Sequence, residues 1–158
     1  QRNRPEGVSE TEALATADSL LGHDRMLNAL TTSNVTFCFE PLSEDQTNFV
    51  NRATAALTLV EMIDHPNFGT MLDGYSFTWE EDSVDALIRN CAGHLRHFHD
   101  DDETKRGPGQ GNVDFKQIAT SLAAIDYKGW MSIEAHDHTA DLEGLAGDWL
   151  TYLRSCWS

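Results

Sequence analysis

Three cysteines in 158 residues, Cys38, Cys91 and Cys156, are odd in number and far apart. Neither a disulfide framework nor a thiolate zinc pattern is visible, and a reducing, cytoplasmic setting is expected. The chain also lacks any apolar run near the roughly 18 residues that a membrane span requires, and its opening, QRNRPEGVSETEALATADSLL, has no short apolar signal core. Positive charge is scarce: 11 Lys and Arg stand against 26 Asp and Glu, a formal charge of −15. Such a surface repels phosphate backbones and anionic lipid, so neither nucleic acid nor a membrane is an expected partner. The length suits one domain, residues 1–158, with a core of its own.

What is present alternates. Residues 9–30 read as one helix with Ser9 as N-cap, Glu12 three positions on, and apolar Leu14, Ala17 and Leu21 on one face. VTFCFE at 35–40 is β-branched and aromatic, as a buried strand would be. Phe49, Val50, Ala53, Ala56, Leu57, Val60 and Ile63 follow at helical spacing, then a strand at 68–73, a helix at 82–95 and a short strand, LRHFH. A loop at 100–113 leads to a helix on DFKQIATSLAAIDY, a strand on WMSIEA and a last helix over about 139–155. Four strand–helix alternations predict an α/β protein with a parallel sheet.

Each strand ends in a residue able to hold a metal: Glu40, Asp73, His99 and Glu134, separated by 33, 26 and 35 residues. A (β/α)8 barrel of about 250 residues allots roughly 30 to each unit and builds its chemistry at the strand C-termini. The chain thus reads as a partial (β/α)8 TIM barrel: about four C-terminal βα units preceded by a helix.

Three carboxylates and an imidazole make an oxygen-rich donor set suited to a divalent ion, Mn²⁺ first, with Mg²⁺ or Co²⁺ as alternatives. A ketose chelating such an ion through adjacent carbonyl and hydroxyl oxygens would have its carbonyl polarised and the enediolate stabilised as a neighbouring proton leaves. A second carboxylate on the other face could return the proton, which is isomerisation or epimerisation.

The segments FEPLSEDQTNFVNRA, HPNFGTMLDGYS, LRHFHDDDETKRGPGQGNVDF and YKGWMSIEAHDH resemble the sugar phosphate isomerase/epimerase family, xylose isomerase-like TIM barrels that include ketose 3-epimerases and hydroxypyruvate isomerases. The resemblance covers nearly the whole chain. It implies that Glu40, Asp73, His99 and Glu134 hold the metal, that Glu40 and Glu134 are also the acid–base pair, and that the substrate is a small carbohydrate-type ketose or related hydroxy-carbonyl compound. In the loop after His99 it implies a basic substrate contact, with Arg106 the better match and Lys105 the alternative. Gln46 and Ser76 fall at substrate-region positions where many epimerases carry Glu and His, so the resemblance points to metal chemistry more firmly than to one sugar. It also implies four further units upstream. Two open strand edges would otherwise remain, so a fragment, a truncation, or a half-barrel pairing with itself as a homo-oligomer or with another chain is expected.

Other residues receive plainer readings. His97 lies two positions before His99 and points to the same side, packed in the core; His136 and His138 are exposed loop histidines. Asp100, Asp101, Asp102 and Glu103 form a solvated acidic rim that discourages polyphosphates. Trp79, Trp130, Trp149 and Trp157 serve core or helix packing. Two competing classes stand beside the isomerase: a metal-dependent phosphodiester hydrolase, which the missing basic groove argues against, and a non-catalytic half-barrel that retains its ligands.

Overall fold

A computed structural model describes residues 2–136 and 142–157. The elements run α1 (Glu10–Leu21), α2 (Asp24–Ser33), β1 (Phe37–Phe39), α3 (Ala53–Ile63), β2 (Phe68–Asp73), a 3-10 turn (Tyr75–Trp79), α4 (Val84–Cys91), β3 (Leu95–His99), α5 (Phe115–Ala124), β4 (Trp130–Ser132) and α6 (Leu142–Cys156). The expected start of the last helix, 139–141, lies outside the described residues.

Local chemistry accounts for the helix ends. Ser9 opens α1 with a capping box: the Glu12 N–H donates to the Ser9 hydroxyl, and the Ser9 N–H donates to the Glu12 carboxylate at 2.8 Å. The single helix expected over 9–30 is two helices. Gly22 ends α1 with its N–H on the Asp18 carbonyl at 2.7 Å, and the His23 ring, in extended backbone, accepts from the Arg25 N–H to start α2. A histidine in the N-cap role is a weak sequence signal beside Ser, Thr, Asp or Asn. Ser83 and Asp114 cap α4 and α5 in the ordinary way.

All strands are parallel, and their order in the sheet is their order in the chain, β1-β2-β3-β4. A doubly wound sheet reverses direction at a switch point; this sheet never does, and so it is an arc of a barrel. Helices α3, α4 and α5 make the three crossovers.

The two faces of the sheet differ sharply. Cys38 pairs with Gly69, Met71 with His97, and Asp73 with His99, which in turn pairs with Ser132. Side chains alternate along a strand, so Glu40, Asp73, His99 and Glu134 share one face at one end. The other face carries Phe39, Thr70, Leu72, Phe98 and Met131 beneath the helices.

Two apolar clusters hold that face. One joins α1, α2, α3, β1 and the start of β2 through Leu14, Leu30, Phe39, Leu59, Val60 and Phe68. The other joins β2 and β3 to α4, α5 and α6 through Leu72, Phe98, Leu87, Ile88, Phe115 and Leu153. Every residue of β2 is buried, whereas β4 is an outer strand on which Trp130 is 82% exposed. The packing role expected of the tryptophans therefore holds for Trp149, which is buried, but not for Trp130 or for Trp157, which is also exposed. Trp149 lies against Gly107, where any side chain would fall into the indole.

Candidate metal centre

Glu40 and Glu134 stand just past the ends of β1 and β4, and Asp73 and His99 are the last residues of β2 and β3. One donor atom from each of the four comes within 4.8 Å of every other. His99 Nδ1 is 2.8 Å from Glu134 Oε2 and 3.3 Å from Glu40 Oε1. Those are ion-pair distances, but neither approach has hydrogen-bond geometry, and both His99 Nδ1 and Glu40 Oε1 are buried without a hydrogen bond. Buried polar atoms of this kind are costly unless something satisfies them. Four donor groups brought together in this way fit a divalent cation, and three carboxylates with one imidazole fit a hard ion.

The electrostatics agree with a crowded anionic site. Burial pushes the Asp73 carboxyl upward, the Glu40 charge adds to this, and hydrogen bonds from Asp101 and the Ser76 and Tyr75 amides oppose it. Burial lowers the His99 imidazole, but the Glu40, Glu134 and Asp73 carboxylates outweigh that and hold it above its ordinary value.

Asp101 braces the cluster through Asp73. It is 2% exposed, and burial together with a hydrogen bond to Asp73 raises its carboxyl. The Tyr75 N–H donates to Asp73 Oδ1 at 2.7 Å and to Asp101 Oδ1 at 3.1 Å. Gly74 permits this approach: its N–H donates to the His99 carbonyl, and a Cβ there would fall onto the Asp101 carbonyl oxygen.

The solvated rim expected of the acidic run is not what forms. Asp100, Asp101 and Asp102 are each at most 2% exposed. The Asp102 carboxylate accepts from the N–H groups of Glu103 (2.9 Å), Gly109 (3.2 Å) and Val113 (3.3 Å), so it organises the following loop from inside. Burial without a hydrogen bond to Oδ1 raises Asp100 to about 7.

A cavity of about 90 Å³ opens on the cluster, lined by Glu40, Asp73, Glu134, Asp101, Gln46 and Lys105, with Leu42, Tyr75 and His136 completing the wall. Of the residues expected at the substrate, Gln46 and Lys105 are thus at the cavity; Arg106 is exposed and Ser76 is buried, and neither is on its wall. His136 is exposed, as expected, yet reaches the wall; His138 lies outside the described residues. His97 does share the side of His99, its ring edge-on at 5.1 Å and its Nε2 2.7 Å from the Ser132 hydroxyl. In the sequence Asp101 reads only as part of a solvated rim, and Asp45 and Tyr75 are not singled out at all. Carrying the two-residue period of β3 beyond His99 would have reached Asp101; nothing comparable marks Asp45. A larger apolar groove of about 450 Å³ beside α1 brings no such acid cluster together.

Residues 6–156 match the xylose isomerase-like TIM barrel family. The chain is 33% identical over 100 residues to a D-psicose 3-epimerase of Ruminiclostridium cellulolyticum, covering 63% of this chain and 34% of that protein. It is 27% identical over 149 residues to a ketose 3-epimerase of Arthrobacter globiformis, covering 92% and 50%. The crystal structure of D-psicose 3-epimerase with D-tagatose from Clostridium cellulolyticum H10 superposes with a TM-score of 0.86 at 22% identity, over 97% of this chain and 59% of that one. The chain therefore spans about a third to a half of the length of these curated relatives, and its four parallel strands with their helices form a partial barrel. With a match over nearly its entire length, the chain belongs to the xylose isomerase-like TIM barrel family.

Proposed function

We propose that residues 1–158 carry the metal-binding half of a sugar isomerase or epimerase centre acting on a small ketose or related hydroxy-carbonyl compound. The observation that carries this reading is the convergence of Glu40, Asp73, His99 and Glu134 on one point at the open end of the sheet. Those four residues would hold a divalent ion, Mn²⁺ by preference, with Mg²⁺ and Co²⁺ as alternatives. When bound, the ion supplies electrophilic stabilisation of the negative charge that develops on the substrate oxygens.

The chain's own groups supply the rest. Glu40 and Glu134 approach the cavity from the two outer strands, so a substrate between them meets one carboxylate on each side. One removes the proton beside the carbonyl, and the other delivers a proton to the opposite face. Gln46 and Lys105 offer hydrogen bonds from the wall, Lys105 taking the basic role for which Arg106 was the first expectation. The named activities of the relatives, D-psicose and ketose 3-epimerisation, support this reaction class.

The test is solvent exchange. The Mn²⁺-loaded chain is incubated with D-fructose in D₂O and the carbon-bound protons next to the carbonyl are followed by proton NMR. Exchange that disappears in Glu134→Gln supports the reading, and no exchange by a folded, metal-loaded chain contradicts it.

A second reading is favoured by the exposed Trp130 on the outer strand and by the partial coverage of relatives. In it the four strands are a non-catalytic half-barrel until another half, or a second copy, covers that edge.

A further inference from the structure

Above the ligand cluster, all four strand-end loops meet at Lys105. Its Nζ is 3.0 Å from Asp45 Oδ2 in the loop after β1 and 4.3 Å from the ring centre of Tyr75 in the turn after β2. Its N–H donates to the Asp102 carbonyl, and its own carbonyl accepts from the His136 N–H beyond β4. The backbone of Lys105 is left-handed, φ 59, a conformation that a non-glycine residue keeps only where its surroundings impose it.

Asp45 is the other anchor. Its Oδ2 also accepts from the Tyr75 hydroxyl at 3.0 Å, and its Oδ1 from the Ser43 hydroxyl. Lys105 is the one lysine or arginine among the described residues lining the cavity, beside Glu40, Asp73, Asp101 and Glu134. Its charge is balanced by Asp45, so the wall offers an anionic substrate no net positive site.

We infer that Asp45 is a specificity-determining positioning residue: by holding Lys105 between its carboxylate and the Tyr75 ring, it presents an ammonium that hydrogen-bonds the hydroxyls of an uncharged ketose, while its own negative charge cancels the attraction that Lys105 would exert on a phosphate ester. This rests on the proposed isomerase or epimerase reading of the same cavity. Asp45 is held down to about 2, by the Ser43 hydroxyl first and then by Lys105, and Lys105 is raised mainly by Asp45. The pair therefore stays charged throughout the neutral range.

The experiment has two arms on the full chain. The chain has three lysines, Lys105, Lys116 and Lys128, so acetylation by N-hydroxysuccinimidyl acetate can be read site by site by mass spectrometry without metal. Lys105 should react several-fold faster in Asp45→Asn and in Tyr75→Phe than in the parent, with Lys116 and Lys128 unchanged. Calorimetry on the Mn²⁺-loaded chain should then show D-fructose binding weakened about tenfold in Asp45→Asn, fructose 1-phosphate binding strengthened, and both restored toward the parent in Asp45→Glu. Unaltered Lys105 reactivity, or a parent chain that binds the ester as tightly as the free ketose, would overturn the inference. Failure of Mn²⁺ to bind would count against the proposed function alone, because the acetylation arm needs no metal.

Discussion

His99 Nδ1 lies 2.8 Å from the Glu134 carboxylate without forming a hydrogen bond to it. That relationship joins the end of β3 to the chain just beyond β4 and gathers an imidazole nitrogen and carboxylate oxygens within 4.8 Å of one another. Similar contacts between side chains that merely satisfied one another would show donors aligned on acceptors.

Asp101 keeps Asp73 in place, so its truncation should act through the metal site. Asp101→Ala is expected to lower Mn²⁺ affinity by about 10- to 100-fold, the usual cost of removing a group that orients a ligand. Asp101→Asn, whose amide can still donate to Asp73 and accept from Tyr75, should cost much less. Equal losses in both variants, measured by calorimetry, would argue against this orienting role.

Asp102 is expected to matter for stability. Three loop N–H groups end on its fully buried carboxylate, so Asp102→Ala leaves them without an acceptor. A loss on the order of 3 kcal/mol is expected, read from the urea unfolding midpoint. A loss under about 1 kcal/mol would mean that solvent replaces the carboxylate, as at an exposed site.

Acid stability should report on Asp45. Its carboxyl falls from an ordinary 3.8 to about 2 in the folded chain, through the Ser43 hydroxyl and Lys105. A depressed carboxylate stabilises the fold above its unfolded pKa, and the contribution is lost as pH falls through the folded value. The difference in melting temperature between the parent and Asp45→Asn should therefore hold steady above about pH 4 and shrink toward pH 2. A difference independent of pH over that window would contradict the pairing.

Much of the architecture could be read from residue pattern alone, because polar groups closing short apolar runs are conspicuous. Glu40, Asp73, His99 and Glu134 each interrupt such a run, and the structure brings them together. The break at Gly22 and His23 was hidden, since apolar positions continue at helical spacing through Leu27 and Leu30. Asp100, Asp101 and Asp102 read as solvated because a run of acids ordinarily is. The burial of Asp101 and Asp102 depends on N–H donors from Tyr75, Gly109 and Val113, which only folding brings near. Spacing also does not reveal that Lys105, with its left-handed backbone, lines the cavity while Arg106 does not.

The most direct measurement is Mn²⁺ titration of the full chain by calorimetry, beside His99→Ala and Glu134→Gln, with folding checked by circular dichroism. One ion per chain, bound by the parent and lost in both variants, is the expected result. A folded parent that binds no ion, or variants that bind as tightly as the parent, would contradict the metal centre.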